Sequence, residues 1–331
     1  MIRMATALAI LSLVAGGMAG GIAGCGADDT DETASAASTA ASASPLVASV
    51  SPSASAPPSA TPAQTVALPT GVTAGVAVYD RKAAAFTVQH NVEQRFRSAS
   101  LVKLLIAIDY LWTRETVAAG ERKQLDLMLS RSDDNAASHF YNLGGRTAVI
   151  ARMNQRLGMT VVPPTAPRTG WGSTEVSAAH LVRVYRYLLD EAPARVGQYI
   201  LGRLRKGTFT KCGTDGYDQS FGIPSAFPGV PWAAKQGWYE FASAPKNCTS
   251  ATPAVFVPAE AEVVPVEFVP VEVAPALAPV DFTGEALHTT GIVGPDDRSI
   301  VVILTVHPHG TQYSVATAAV TKLAASLPLT A

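Results

Sequence analysis

The segment Leu101–Trp112, LVKLLIAIDYLW, constrains the fold more than any other. It is apolar on nearly every helical face, so it cannot lie on a surface and must be enclosed by other elements. Upstream, Thr73–Tyr79 (TAGVAVY) reads as a buried strand, Asp80-Arg81-Lys82 as a turn and Phe86–His90 as the hairpin partner. Downstream, helices are predicted from Lys123, over Ala136–Leu143, and over Ser177–Leu189, where Leu181, Val184, Tyr185 and Leu188 make one apolar face. Ser299–Val306 (SIVVILTV) reads as a central strand and Val315–Leu327 as a closing helix. Strands first, helices in the middle, then a strand and a helix predict an α/β chain of α+β type. An antiparallel sheet would be built from both chain ends, flanked by helices, with an α-rich region inserted.

The N-terminus points to export. Arg3 precedes an apolar run from Ala5 to about Val14 and then small residues, too short to span a bilayer as a helix. Ile22-Ala23-Gly24-Cys25 resembles a bacterial lipobox. The resemblance implies that residues 1–24 are removed and that Cys25 carries lipid, anchoring the chain outside the cytoplasm; two acyl chains anchor where one would not. The other reading is an ordinary secretory signal with a chance cysteine. Residues 25–70 are rich in Ala, Ser, Thr and Pro, with acids at Asp28, Asp29, Asp31 and Glu32, and read as a disordered tether before a folded domain at 71–331. Within that domain, about 252–280 is dense in proline (VPVEFVPVEVAPALAPV). Such a stretch cannot sit in a central ladder, so an extended excursion or an edge hairpin is expected, either an enlarged loop or a partner-binding lid.

Three cysteines are present. With Cys25 lipidated, Cys212 and Cys248 remain for one disulfide in an oxidising compartment, or stay as two buried thiols. No cysteine has a second ligand at metal-binding spacing, and no metal or cofactor is expected. His288, His307 and His309 form no ligand set; the last two read as solvated turn residues after a strand. Trp171, Trp232 and Trp238 read as core residues, with a cleft lining as the alternative. A formal net charge of −1 gives no field to attract a polyanion, so no nucleic-acid partner is expected.

Ser100-Leu101-Val102-Lys103 opens the apolar helix. Positions i and i+3 share a helix face, so the amine lies beside the hydroxyl and, held in a partly apolar pocket, can accept its proton. On its own, Ser100 could simply cap that helix. Further on come Ser132-Asp133-Asp134-Asn135-Ala136-Ala137, between helices, and Lys235-Gln236-Gly237, on a possible strand. SxxK, SDx and KxG in this order resemble the penicillin-recognising serine hydrolases, the class A β-lactamases and D-alanyl-D-alanine peptidases. The phrases SASLVKLLIA, SDDNAAS, DQSFGIP and KQGW are most similar to serine-hydrolase lipoproteins of actinobacteria, from about Gly71 to Leu327. The resemblance implies a β-lactamase/transpeptidase-like fold with a reduced all-helical part. It also implies Ser100 as nucleophile, Lys103 as base or relay, Ser132 as donor to the leaving nitrogen, and Lys235 as holder of a substrate carboxylate. Asp134, Gln236, Gly237 and Tyr239 would contact substrate. The backbone N–H groups of Ser100 and of a strand residue, Tyr239 or its neighbour if the alignment slips by one position, would form the oxyanion hole.

Four departures qualify that expectation. Asp134 stands where the motif has Asn, unless a one-residue shift brings Asn135 into the site; an ionised Asp cannot donate to an amide carbonyl, and could pair with Lys103 and keep it protonated. Gln236 replaces a hydroxyl residue, though its amide could substitute. Val161–Thr174 (VVPPTAPRTGWGST) holds no acid to activate a deacylating water, and Glu175 is read as opening the next helix. Ser100 and Ser132 are 32 positions apart, which is short for a class A enzyme. Asp133 reads as structural. The expected activity is an acyl-enzyme hydrolase of D-Ala-D-Ala-like stem peptides or β-lactams, monomeric and slow to deacylate. The alternative is a catalytically degenerate lipoprotein acting as a binding or scaffold module of the cell envelope.

Overall fold

A computed structural model of the protein describes residues 66–241, 247–248 and 278–329. Cys25, the export segment, most of the tether and most of the proline-rich stretch lie outside the described residues. Packed structure begins somewhat before Gly71, because Val66 is buried and Leu68 packs beside it against the apolar layer under the C-terminal helix.

The chain opens with a hairpin, β1 (Thr73–Asp80) and β2 (Ala85–His90), then a short strand β3 (Arg95–Arg97). A 3-10 turn at Ala99–Val102 runs into α1 (Lys103–Trp112). Helices α2 (Ala119–Ser130), α3 (Asp134–Leu143) and α4 (Thr147–Leu157) follow. Then come β4 (Glu175–Ser177), α5 (Ala178–Arg186), a π turn at Tyr187–Glu191, α6 (Ala194–Leu204) and the short α7 (Ile223–Ala226). Strands β5 (Trp232–Tyr239), β6 (Glu285–Val293) and β7 (Ser299–His307) and helix α8 (Tyr313–Ser326) complete the order.

The main sheet is antiparallel in the order β2-β1-β7-β6-β5. Its two neighbours β1 and β7 come from opposite chain ends, with Thr73 facing Val306 and Asp80 facing Ser299. Strand period explains the two cores. Val76, Val78, Val301 and Ile303 face α8, whereas Ala77, Tyr79, Ile300, Val302 and Leu304 face the helical part. Each large aliphatic side chain so buried contributes about 1.5–3 kcal/mol.

Helix α1 is enclosed as its composition requires: Lys103 through Leu111 are all buried, and α3, α4 and α6 pack around it. Its buried Asp109 is met by Arg152 in a bidentate pair at 2.8 and 2.6 Å. Two expectations need correction. Glu175 opens no helix; it lies on β4, paired with β3, and α5 starts three residues later behind its cap Ser177. His307 is no solvated turn residue: it ends β7, is buried, and lies 2.9 Å from Thr305 Oγ1.

Candidate active site

The 3-10 turn before α1 sets Ser100 at the junction of sheet and helices. Ala99, just before it, has φ of 44°, a conformation unfavourable for a residue with a Cβ, and strain of this kind gathers at functional turns. Ser98, not Ser100, occupies the cap position, so helix capping does not account for Ser100. Strand β5 runs past this turn in close contact. A Cβ added to Gly237 would sit 3.2 Å from both Ser98 O and Leu101 Cγ, so glycine is what allows the strand its approach.

Four sequence-expected residues converge here. Lys103 Nζ donates to Ser100 Oγ at 2.8 Å, to Ser132 O at 2.6 Å and to Ser132 Oγ at 3.1 Å. Lys235 Nζ donates to the same Ser132 Oγ at 2.9 Å and to Gln236 O at 2.9 Å. Both lysines are buried. Burial pushes the Lys103 ammonium below its ordinary range, against the upward pull of Asp134. Burial, with the Lys103 charge second, pushes Lys235 well below its own. A hydroxyl 2.8 Å from a desolvated amine can give up its proton, and Ser132, bridging two amines, can pass one on.

Asp134, not Asn135, reaches the site. Its Oδ1 accepts from Lys103 Nζ at 2.6 Å and its side chain lines the cleft, 65% exposed, while Asn135 is on the exposed side of α3. Asp133 caps α3, accepting from Ala136 N at 2.7 Å. Gln236 does not offer its amide to a ligand. The side chain is buried, and Nε2 donates to the carbonyls of Gln219 and Phe221.

Strand parity decides which backbone groups of β5 face its free edge. Gly294 N bonds Pro231 O on the β6 side, while Lys206 N bonds Trp232 O on the free edge. Pairing to β6 is unbroken from Trp232 to Tyr239, so Trp232, Ala234, Gln236 and Trp238 turn their backbone groups to the free edge. Gln236 O receiving Lys235 Nζ agrees with this. The edge donor is therefore Trp238 N–H; that of Tyr239 faces β6. Tyr239 still lines the cleft through its ring, beneath the Arg97 guanidinium at 3.4 Å.

The cleft holds about 570 Å3. Trp171 and Trp238 line it while each also packs against one of the two cores, and Trp232 is buried in the core as expected. Pro167 to Ser173 form one wall without a carboxylate. Glu175 points elsewhere, 4.0 Å from Arg95. Sequence reading missed Asp215, Arg97, Arg168 and Phe282, which also line the cleft. Cys212 and Cys248 are joined by a disulfide, and Cys248 N donates to Gly216 O at 3.0 Å, which fixes the loop carrying Asp215.

Solved structures share this arrangement of sheet and helices. A PBP-A variant, solved as an acyl-enzyme complex with penicillin G, superposes with a TM-score of 0.52 over 77% of this chain and 89% of its own, at 12% identity. A class A β-lactamase from Mycobacterium abscessus gives 0.50 over 76% and 92%, at 17% identity. An ancestral class A β-lactamase gives 0.51 over 77% and 93%, at 14% identity. The chain has the β-lactamase/transpeptidase-like fold.

No protein-family profile matches this β-lactamase-like chain. Over 176 residues it is 38% identical to proteins named "Putative lipoprotein LppW" in Mycobacterium tuberculosis and Mycobacterium bovis, covering 51% of this chain and 54% of theirs. The chain thus spans about half the length of the curated relatives it matches. No helix among the described residues is long and apolar enough to cross a membrane, and no group of three or more His, Cys, Asp or Glu among them could hold a metal ion.

Proposed function

We propose that the protein is a serine acyl-transfer enzyme of the cell envelope, acting on D-Ala-D-Ala-like peptide ends or β-lactams. The observation that carries the reading is Lys103 Nζ, desolvated and 2.8 Å from Ser100 Oγ, with Ser132 bridging it to Lys235. Ser100 Oγ attacks the carbonyl carbon and its proton passes to neutral Lys103. The N–H groups of Ser100 and Trp238 stabilise the oxyanion. Collapse breaks the C–N bond; Ser132 Oγ gives its proton to the leaving nitrogen and regains one from Lys103. Water then cleaves the ester, slowly, because the wall from Pro167 to Ser173 brings no carboxylate to activate it.

The export segment, the Cys25 anchor and the tether belong to the same proposal: a domain held outside the cytoplasmic membrane by N-terminal lipid. The name carried by the matched relatives supports it.

A second reading is a non-catalytic binding module. The Lys103–Asp134 ion pair, which holds back the base, and the inward turn of Gln236 favour it. Intact-protein mass spectrometry after incubation with benzylpenicillin separates the two. An acyl adduct on the wild type, absent from Ser100→Ala, is expected. No adduct and no loss of antibiotic from folded protein would favour the binding module.

A further inference from the structure

Among the carboxylates that line the cleft are Asp134 and Asp215, and among the described residues only Asp134 is ion-paired with a lysine. Asp134 engages Lys103 through Oδ1 and leaves most of its carboxylate open to the cleft. Asp215 lines the same cleft and, among the described residues, accepts from two neutral donors, Trp238 Nε1 at 3.2 Å and Tyr217 N at 3.3 Å. Burial and the Asp134 charge both push its carboxyl up, so the two acids sense each other. Lys103 is committed to Ser100, Ser132 and Asp134, and Lys235 donates to Ser132 and Gln236. Among the described residues no cation forms an ion pair with Asp215.

The walls point to the same ligand sign. Trp171 and Trp238 line the cleft, and the Trp171 ring already lies 4.8 Å from the Lys103 ammonium. Aromatic faces beside carboxylates favour a cation. The far end carries both signs of charge. Arg97 and Arg168 flank Phe282, at 5.2 and 4.5 Å from its ring. Glu240 lines the cleft with them and its charge acts on Arg97, so the two arginines are partly offset there.

Carboxylates only accept hydrogen bonds, so a group docking beside Asp134 must donate. We propose that Asp134 and Asp215 select acyl substrates that carry an ammonium group close to the reactive carbonyl. This rests on the acyl-transfer reading above for its chemistry, though not for the binding preference.

Ampicillin and benzylpenicillin differ by one α-amino group beside the side-chain carbonyl, and provide the probe. With the full chain at pH 6, where that amine is protonated, Ser100 is expected to acylate about tenfold faster with ampicillin. The full chain carrying Ser100→Ala should bind ampicillin about tenfold more tightly by calorimetry. Asp134→Asn, at an exposed position, and Asp215→Asn should each bring the two compounds towards parity in both measurements. Equal binding, tighter binding of benzylpenicillin, no binding of either, or a preference surviving both substitutions would overturn the proposal. If no adduct forms yet Ser100→Ala still prefers ampicillin, acyl transfer fails and the selectivity stands.

Discussion

Lys103 Nζ and Asp134 Oδ1 lie 2.6 Å apart, on the amine that also touches Ser100 Oγ. Burial lowers the Lys103 pKa and Asp134 raises it, with burial the larger effect. Acylation should therefore increase with pH as Lys103 loses its proton, through a value below the ordinary lysine range. Asp134→Asn removes the opposing pull, so the rising limb should move to lower pH and neutral-pH acylation should increase. The pH profile of adduct formation with benzylpenicillin checks this; a limb that stays put or moves to higher pH contradicts it.

Gly237 lets β5 approach the turn that carries Ser100. Gly237→Ala would place a methyl 3.2 Å from Ser98 O and Leu101 Cγ and 3.4 Å from Ala99 Cβ. Overpacking of this kind costs about 1–3 kcal/mol. The few tenths of an ångström by which the strand edge must give should also slow acylation severalfold. Thermal melts and adduct kinetics read the two effects; a variant with unchanged acylation would show that the edge has room to spare.

His288 and His307 provide an acid-stability test. Burial pushes both down to about 4, and the His288 ring is fixed as neutral, accepting from Thr305 N while its Nε2 meets Arg97 O. In the unfolded chain each protonates near 6.5. Between these values the unfolded state binds more protons, so stability is lost as pH falls from about 6.5 to 4, by up to ~3 kcal/mol per histidine. Urea midpoints at pH 7.5 and 4.5 should differ accordingly, and His288→Gln should flatten the slope. Equal midpoints would mean that the rings are already accessible to protons.

The Cys212–Cys248 disulfide closes a separation of 36 residues. Chain entropy assigns such a loop about 3–4 kcal/mol. Reduction should lower the urea midpoint by that order and release the loop bearing Asp215, weakening ligand binding more than it weakens the ion pair at Lys103. A reduced protein with unchanged midpoint would argue against the bridge as a structural element.

Much of this was legible because it depends on local pattern. The enclosed helix, the hairpin and the central strand follow from periodicity, and Ser100, Lys103, Ser132 and Lys235 from ordered motifs. What escaped depends on tertiary placement. Asp215 and Arg168 reach the cleft on loops whose path no periodicity encodes. Trp171 and Trp238 are large apolar residues that line a cleft as readily as a core, and only the fold decides. Whether Trp238 or Tyr239 turns its N–H to the free edge is a distinction of one residue that motif spacing leaves open and the pairing of β5 with β6 decides. His307 looked like a turn residue because β7 runs one residue beyond its apolar run.

The pairing of Thr73 with Val306 has a consequence for how the protein comes into being. Strand β7 separates β1 from β6, and β6 in turn carries β5, the edge that faces Ser100. A chain emerging N-terminus first can gather its helices around α1 early, but the centre of its sheet awaits nearly its last strand. Contacts this distant in sequence form slowly. Until then Ser100 and Lys103 exist without the strand edge opposite them, so the cleft is complete only once β7 has joined the sheet.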